Sequence, residues 1–340
     1  MKKNLKDNIT LPKKLEKNFI GNTGVEITNI GMGGAPLGYL DESSAMKTLE
    51  KAYESGINYF DTAPLYGAGN SEKLYGKFLP NIDRNSFVIS SKVGRLILPQ
   101  DKAKKFISNQ DTTPALETNV KASSYKNNVV FNFTREGVLR SIEESLNRLN
   151  IDSIDIIFIH DPDDNYEIAI NETLPTLIEL KKQGVIKAIG AGMNEWEMPL
   201  KFAENGGFDC FLIAGRYTLL DYSALDKLLP TCAENEISII IGGPYNSGIL
   251  ASDLSKSSTY FYEPSPTEVI EKAKKIKKIC DKFNVPLKAA ALQFGLNHTS
   301  VASTIPGPRN PVEIEDNIKM LTYKIDSNLW KELRVNNLIP

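Results

Sequence analysis

The sequence has few cysteines and few histidines. Its three cysteines, Cys210, Cys232 and Cys280, are far apart and form no CxxC pair, which argues against a disulfide framework or a cysteine metal site. Two of them lie in apolar runs, which favours buried, reduced thiols in a cytoplasmic protein. His160 and His298 are the only histidines, so a His-rich metal site is not expected either.

The chain also lacks long apolar runs and an excess of charge of one sign. Its 40 Lys and Arg residues nearly balance 42 Asp and Glu residues, which leaves no basic face for nucleic acid. No apolar segment is long enough to cross a bilayer, and the Lys-rich first eighteen residues have no signal-peptide core. We expect a flexible polar tail over 1–18, a single domain over 19–340 and a small-molecule ligand. The oligomeric state is left open.

Eight short segments rich in Ile, Val, Phe or small residues alternate with helical patterns. They begin at Ile30, Ile57, Phe87, Ile154, Ile186, Cys210, Ile237 and Val301. This alternation indicates a parallel α/β sheet covered by helices, and eight units over about 290 residues predict a (β/α)8 TIM barrel. A doubly wound open sheet is the alternative, but "GMGGAPLG" lacks the GxGxxG spacing that such sheets use for dinucleotides.

Other local patterns predict the elements around these strands. "FIGNTGVEITNIGMGG" reads as an N-terminal hairpin around an Asn-Thr-Gly turn. In "TREGVLRSIEESLNRLN", Thr134 can cap a helix whose apolar face carries Val138, Leu139, Ile142, Leu146 and Leu149. Two long connections, about 94–133 and 245–266, follow strands and are candidate lids at the active face.

Four ionisable side chains lie at or just after the ends of three successive predicted strands. Asp61 ends the second strand in "FDTAPLYG" and Tyr66 follows on its turn, while Lys92 and His160 end the third and fourth. Each alone has a structural explanation: turn formers with a surface tyrosine, a solvated lysine, or a hydrogen-bonded core histidine. Since barrel enzymes place their chemistry at this end of the strands, we expect the four to converge.

Together the four side chains form a chemical set. A phenol with a pKa near 10 exchanges protons slowly at neutral pH, and an adjacent ammonium favours the phenolate. Lys92, held by Asp61, could therefore tune Tyr66, and His160 could orient a substrate oxygen. A tuned proton donor without a nucleophile–base pair or metal cluster suits hydride transfer, because a cofactor then carries the electrons.

"FDTAPLYG", "SSKVG" and "FIHDPDD" resemble the tetrad of the aldo-keto reductase superfamily, and the resemblance covers nearly the whole chain from about 19 to 320. It implies Tyr66 as the general acid/base, Lys92 and Asp61 as its tuning pair, and His160 as the substrate-orienting group. "GMGGAPLG", "GAGMNEW", "AGRYTLLD", "GGPYNSGIL" and "IPGPRNP" look most like the aldose 1-dehydrogenase branch, which includes L-fucose, D-threo-aldose and pyridoxal 4-dehydrogenases.

The loop after the eighth strand, "STIPGPRNPVEIEDN", is a candidate phosphate site. Gly307 permits close backbone approach and Arg309 could pair with a phosphate. The alternative is a turn with Pro311 at the first helical position and a solvated Arg309. The resemblance implies NADP or NAD, without flavin or metal. Its candidate cofactor-binding residues are Asn194, Arg216, Tyr217, Pro244, Asn246, Ser247, Gly248, Leu250, Gly307, Arg309, Glu313 and Asn317.

The chain departs from many members of the superfamily at three places. Gly242, Gly243 and Pro244 replace a Tyr-Ser-Pro sequence, Met193 replaces the serine of a Ser-Asn pair, and Ala214 replaces a glutamine. These departures put the usual nicotinamide contacts in question, while Asn194, Arg216 and Tyr217 stay candidate neighbours.

The resemblance implies an NAD(P)-dependent oxidoreductase that oxidises the C1 hydroxyl of a sugar hemiacetal to a lactone, or that runs as a carbonyl reductase. Oxidation of the pyridoxal hemiacetal is the alternative. A nucleotide-binding redox-sensing subunit, similar to potassium-channel β-subunits, is a third hypothesis. Arg309 could meet a 2′-phosphate whereas Glu313 would repel it, so the sequence predicts use of both NAD and NADP.

Overall fold

A computed structural model describes residues 14–103, 127–254, 259–261 and 263–340. The first thirteen residues of the predicted tail lie outside this part of the chain, and a strand already begins at Lys17. Residues 104–126 of one predicted lid, and 255–258 and 262 of the other, also lie outside it. The tail and both lids therefore stay predictions.

Eight parallel strands form the barrel that the alternating pattern predicts. All strands in chain order are β1 (Lys17–Phe19), β2 (Glu26–Thr28), β3 (Met32–Gly33), β4 (Tyr59–Asp61), β5 (Val88–Pro99), β6 (Asn127–Asn132), β7 (Ile156–His160), β8 (Ala188–Met193), β9 (Cys210–Ala214), β10 (Ser238–Gly242), β11 (Thr259–Tyr260), β12 (Glu263–Pro264) and β13 (Val301–Ile305). The barrel order is β3, β4, β5, β7, β8, β9, β10 and β13. Two backbone hydrogen bonds close the barrel between its first and last strands. The Gly31 N–H donates to the Thr304 carbonyl and the Gly33 N–H to the Pro306 carbonyl, both at 2.9 Å. The predicted (β/α)8 fold is confirmed.

The predicted hairpin closes the amino end of the barrel. β1 and β2 pair antiparallel, and Ile20 and Ile27 are fully buried. They belong to one apolar cluster with Ile156, Phe158 and Ile240 from the barrel strands. The hairpin therefore seals the end of the barrel opposite to the one where parallel-barrel enzymes place their chemistry.

Helices cover the outside of the barrel. They are α1 (Glu42–Glu54), α2 (Asn70–Phe78), α3 (Gln100–Ala103), α4 (Arg135–Leu149), α5 (Tyr166–Ile168), α6 (Leu174–Lys182), α7 (Glu197–Asn205), α8 (Leu228–Glu234), α9 (Thr267–Lys282), α10 (Leu287–Phe294), α11 (Pro311–Leu321) and α12 (Ser327–Val335). In the described part of the chain, none of them is both long and apolar enough to span a membrane.

Helix α4 shows how far the helical pattern was right. The Thr134 side chain accepts a hydrogen bond from the Gly137 N–H, as a cap should. Val138 and Ile142 are buried. Leu139, which the pattern placed on the apolar face, is 39% exposed. Leu139 lies at the margin of the apolar face because it follows Val138 by one residue, which is a rotation of about 100° around the helix axis.

Strand β5 continues beyond the barrel. Its first part pairs with β4 and β7, and from Gly94 to Pro99 it pairs antiparallel with β6. Gly94 has a φ of 101°, and a Cβ there would lie 2.0 Å from the Phe133 ring, so only glycine fits at the bend. The predicted lid connection thus starts and ends in a regular ladder, which sequence analysis did not predict. This ladder places Arg95 and Phe131 beside the barrel mouth.

Candidate active site

Asp61 and Lys92 form a buried ion pair where β4 and β5 end their parallel pairing. Lys92 Nζ lies 2.8 Å from each carboxylate oxygen of Asp61 and donates to the Thr62 carbonyl at 2.9 Å. Ser90 Oγ donates to Asp61 Oδ1 at 2.7 Å. The lysine and aspartate side chains are 1% and 2% exposed, so the ammonium is fixed by hydrogen bonds rather than by water.

A tight turn after β4 carries Tyr66 over this pair. Lys92 Nζ is 4.9 Å from the centroid of the Tyr66 ring. Gly67 has a φ of 61°, and a Cβ there would lie 2.4 Å from the Gly38 carbonyl oxygen. Glycine is therefore needed for the turn to pack against the segment after β3. The half-buried Tyr66 side chain is positioned by this backbone contact.

His160 completes the predicted group at the end of β7. Its ring meets the Tyr66 ring edge-on, with centroids 6.0 Å apart. Burial lowers the pKa of His160 well below its usual value, and the charges of Arg95 and Lys92 lower it further. The imidazole is therefore neutral at physiological pH and can donate one hydrogen bond from one ring nitrogen. All four predicted side chains come together at the carboxyl end of the barrel.

Two further charged residues in this region were missed by the sequence analysis. Arg95 Nη2 lies 3.3 Å from Asp161 Oδ2, and that oxygen lies 3.5 Å from His160 Nε2. The Arg95 guanidinium also covers the Phe131 ring at 4.3 Å. Arg95 follows Lys92 by three positions, and Asp161 directly follows His160. The only signal in the sequence for these two site residues was that each follows a predicted site residue within three positions.

A second layer of contacts anchors the strand that carries Lys92. Ser91 Oγ donates to Glu72 Oε1 at 2.7 Å, and Arg148 Nε donates to Glu72 Oε2 at 2.6 Å. Glu72 is fully buried. Because α2, β5 and α4 each supply one of these three groups, the network fixes the strand relative to both helices.

The candidate nicotinamide neighbours follow β8 and β9. Arg216 Nε donates to the Asn194 carbonyl at 2.7 Å, and its guanidinium lies 4.2 Å from the centre of the Phe261 ring. Tyr217 is 6% exposed and packs against Phe294, with ring centroids 5.1 Å apart. The structure therefore brings Asn194 and Arg216 together at the barrel mouth, whereas Tyr217 is part of the core.

The loop after β10 carries the next group of candidates. Asn246 and Ser247 have φ angles of 48° and 57°, which are unusual for residues other than glycine, and Gly248 follows at 98°. Asn246 is 4% exposed, and among the described residues its Oδ1 has no hydrogen-bond partner. Pro244 and Leu250 are buried. A strained loop with an unpaired buried amide oxygen fits a ligand-binding role.

The start of α11 holds the remaining candidates. Glu313 accepts hydrogen bonds from the Arg309 N–H at 2.9 Å and from Arg309 Nη2 at 3.2 Å. Asn310 caps the helix by accepting from the Glu313 N–H, and Pro311 is its first residue as predicted. A Cβ on Gly307 would lie 2.8 Å from the Pro36 ring.

A buried amide contact links this helix to the loop after β10. Tyr245 donates its hydroxyl to Asn317 Oδ1 at 2.7 Å. Asn317 is 4% exposed. The candidate pyrophosphate loop and the candidate adenosine end thus lie on the same edge of the barrel as the tetrad, because β8, β9, β10 and β13 all end there.

A cavity of about 370 Å³ lies at the opposite, amino end of the barrel. It is lined in part by Phe19, Cys232 and Glu236, and none of the predicted site residues contributes to it. In the part of the chain that the structure describes, no three His, Cys, Asp or Glu side chains are placed to hold a metal ion.

Comparison with known proteins agrees with this geometry. The model of the Aldo/keto reductase family matches residues 29–335. The chain is 36% identical to a pyridoxal 4-dehydrogenase from Microbacterium luteolum, over 96% of this chain and 99% of that protein. It is 35% identical to a D-threo-aldose 1-dehydrogenase from a Pseudomonas species, over 93% of this chain and 96% of that protein.

Solved structures support the same fold. A glycerol dehydrogenase from Gluconobacter oxydans superposes with a TM-score of 0.74 at 19% identity, over 95% of this chain and 94% of that one. An aldo-keto reductase from Bacillus halodurans superposes with a TM-score of 0.76 at 21% identity, over 96% of this chain and 97% of that one. The family match implies a nicotinamide cofactor, and the predictions of the superfamily and of an oxidoreductase are confirmed. The chain belongs to the aldo/keto reductase family.

Proposed function

We propose that this chain is a dehydrogenase that oxidises a small cyclic hemiacetal at its hydroxyl-bearing carbon, with an aldose as substrate and a lactone as product. The observation that carries the proposal is the buried Lys92–Asp61 pair with its ammonium 4.9 Å from the centre of the Tyr66 ring. Such a pair is of use where a phenol must take up and release a proton.

Each of the four side chains has a distinct role in this proposal. Tyr66 accepts the hydroxyl proton during oxidation and returns it during carbonyl reduction. Lys92 favours the phenolate of Tyr66, and Asp61 keeps the ammonium in place. His160, neutral because burial and two cations lower its pKa, donates a hydrogen bond that orients the substrate oxygen. The nicotinamide, when bound, accepts or supplies the hydride.

We assign nucleotide binding to the loops after β8, β9, β10 and β13. Supporting observations are the buried Oδ1 of Asn246, which has no hydrogen-bond partner among the described residues, the left-handed residues around it and the N-terminus of α11, whose dipole suits an anion. Use of both NAD and NADP is proposed because Arg309 already pairs with Glu313. A 2′-phosphate would have to compete for the guanidinium, and Glu313 would repel it.

The substrate class is supported by the two relatives of 35% and 36% identity, whose names give D-threo-aldose and pyridoxal as substrates. Pyridoxal is the second candidate, because it too forms a cyclic hemiacetal. The three cysteines are all buried and unpaired, which supports a cytoplasmic location, since a disulfide-forming compartment would put such thiols at risk.

The test is turnover of the purified chain with a panel of aldoses, including L-fucose and D-threo-aldoses, and with pyridoxal. Each is supplied with NAD or NADP and followed by nicotinamide absorbance. We expect oxidation of at least one aldose with lactone formation. Oxidation of pyridoxal alone would favour the second candidate. Tight nucleotide binding without turnover of any carbonyl or hemiacetal would overturn both and favour a redox-sensing subunit.

A further inference from the structure

We propose that Asp161, held in place by Arg95, binds a substrate hydroxyl on the carbon next to the reacting carbon and so selects hydroxylated substrates. This inference rests on the proposed function, because it takes His160 as the group that touches the reacting oxygen. It adds a specificity residue to the four side chains that act on the proton and the oxygen.

Asp161 lies within reach of a substrate oxygen that contacts His160. Asp161 Oδ2 lies 3.5 Å from His160 Nε2, so a substrate oxygen that contacts His160 is also close to this carboxylate. In a vicinal pair of oxygens, the second lies about one hydrogen-bond length from the first. A hydroxyl on the neighbouring carbon can therefore reach Asp161 while the reacting oxygen stays on His160.

The carboxylate of Asp161 also has acceptor capacity that the described residues do not use. An ionised carboxylate offers about four lone-pair sites. Arg95 reaches Asp161 through a single nitrogen at 3.3 Å instead of forming the two parallel bonds that its fork allows. The backbone of Asn194 supplies one further hydrogen bond to the carboxylate. The side chain of Asp161 retains 14% exposure, and it follows the carboxyl end of β7, where the barrel opens.

The backbone and the charges around Asp161 hold its carboxylate in an ionised state. Asp161 and Asp163 have φ angles of 39° and 35° on either side of Pro162, a left-handed backbone that is uncommon for residues other than glycine. Burial raises the pKa of Asp161 to about 6, while Arg95 opposes that rise. The carboxylate is thus ionised at neutral pH despite its surroundings. A charged acceptor binds a hydroxyl more strongly than a neutral one.

Arg95 itself is 8% exposed. Among the described residues its Nε has no hydrogen-bond partner, and Phe131 covers one face of the guanidinium. Among the described residues, the guanidinium of Arg95 is held beside Asp161 by one ion pair and one ring contact. Its role in this proposal is that of a positioning residue, because it acts through Asp161.

The experiment compares lactaldehyde with propanal, two aldehydes that differ by one hydroxyl on the neighbouring carbon. Reduction is followed by nicotinamide absorbance in the wild type, in Asp161→Asn and in Asp164→Asn. Asp164 lies in the same loop and is exposed, so its variant controls for a lost carboxylate. We expect the wild type to prefer lactaldehyde in kcat/KM by about tenfold or more. Asp161→Asn should lose most of that preference, with a much larger fall in kcat/KM for lactaldehyde than for propanal, whereas Asp164→Asn should keep it.

Equal losses for the two aldehydes in Asp161→Asn would show that Asp161 acts on His160 or on the fold, and would overturn the inference alone. The absence of any preference in the wild type would overturn it without reference to a variant, which covers the case of a variant that does not fold. A wild type that reduces no aldehyde and oxidises no hemiacetal would overturn the proposed function and this inference together.

Discussion

The two ends of the barrel both bury carboxylates beside cations, but the cations differ in their access to water. At the amino end, Asp155 accepts from Arg84, from the Ile89 N–H and from Lys187, at 2.8 to 2.9 Å. Arg84 and Lys187 are 31% and 59% exposed. At the carboxyl end, Lys92 is 1% exposed.

The carboxylates also hold different groups at the two ends. Asp155 and Asp209 each accept from a backbone N–H of a neighbouring strand, Ile89 and Ile189, so they stabilise the barrel itself. Asp61 holds an ammonium next to a tyrosine. Buried charge at the amino end therefore stabilises the barrel, and we propose that buried charge at the carboxyl end is kept for the proposed chemistry in spite of its desolvation.

Tyr66→Phe tests the carboxyl end and has the largest expected effect. We expect turnover to fall by about 10²- to 10⁴-fold, because the proton donor is lost while the packing of the ring is kept. Nucleotide dissociation constants from fluorescence titration should stay within about twofold. Retention of more than a tenth of the wild-type activity would remove Tyr66 from its assigned role.

Lys92→Met should slow the oxidation reaction and move its pH profile to higher pH. Without the ammonium, the phenolate of Tyr66 is less favoured, so a higher pH is needed to form the base. The rate of oxidation against pH, measured for the best substrate, checks this. A slower enzyme with an unchanged profile would mean that Lys92 supports the fold and does not tune the phenol.

Asp155→Asn is the matching change at the amino end. We expect a loss of about 2–3 kcal/mol in the free energy of unfolding, because two cations and a backbone N–H lose a charged acceptor. Both cations can turn to solvent, which limits the loss. Urea unfolding measures it, and kcat of the folded enzyme should be unchanged. A large fall in kcat would show that a buried carboxylate at the amino end also supports catalysis, and would contradict the proposed difference between the two ends.

The preference for a hydroxylated substrate should depend on pH near 6. Since the pKa of Asp161 is raised to about 6, the carboxylate is ionised above that pH and protonated below it. We expect the ratio of kcat/KM for lactaldehyde over propanal to fall as the pH drops from 7 to 5. His160 is not the cause, because its pKa lies well below the usual value. A constant ratio over this range would contradict the prediction.

Arg309→Ala has the smallest expected effect. The Arg309 side chain is 70% exposed and already pairs with Glu313, so we expect a weakening of NADP binding of only several-fold and less for NAD. Dissociation constants for both nucleotides at one salt concentration check this. Equal weakening would place Arg309 away from the 2′ position.

The barrel, and the convergence of Asp61, Tyr66, Lys92 and His160 at its carboxyl end, could be predicted from the sequence because both depend on local patterns. Each barrel strand is a short apolar run followed by a helix, and Asp61, Lys92 and His160 end their runs at the face where parallel strands converge. The hairpin of β1 and β2 was equally local, since its turn carries Asn-Thr-Gly.

What the sequence did not predict depends on contacts between distant segments. The ladder of β5 and β6 joins residues more than twenty-five positions apart, across a connection that was predicted only as a candidate lid. Arg95 was missed because it lies in that ladder. Asp161 belongs to the motif "FIHDPDD" but was not predicted as a site residue, because its orientation depends on a left-handed φ and on Arg95. The pairing of Arg309 with Glu313 needed the geometry of the α11 cap.

Deuterium transfer shows whether this chain moves a hydride from a nicotinamide to a carbonyl carbon with Tyr66 as the proton donor. The wild-type enzyme is given a nicotinamide cofactor that is deuterated at its hydride position together with an aldehyde, and the product is analysed by mass spectrometry. We expect one deuterium on the former carbonyl carbon of the product, and almost none in the same time with Tyr66→Phe, which still binds the nucleotide. Product without deuterium would exclude direct hydride transfer, and undiminished transfer by Tyr66→Phe would exclude Tyr66 as the proton donor.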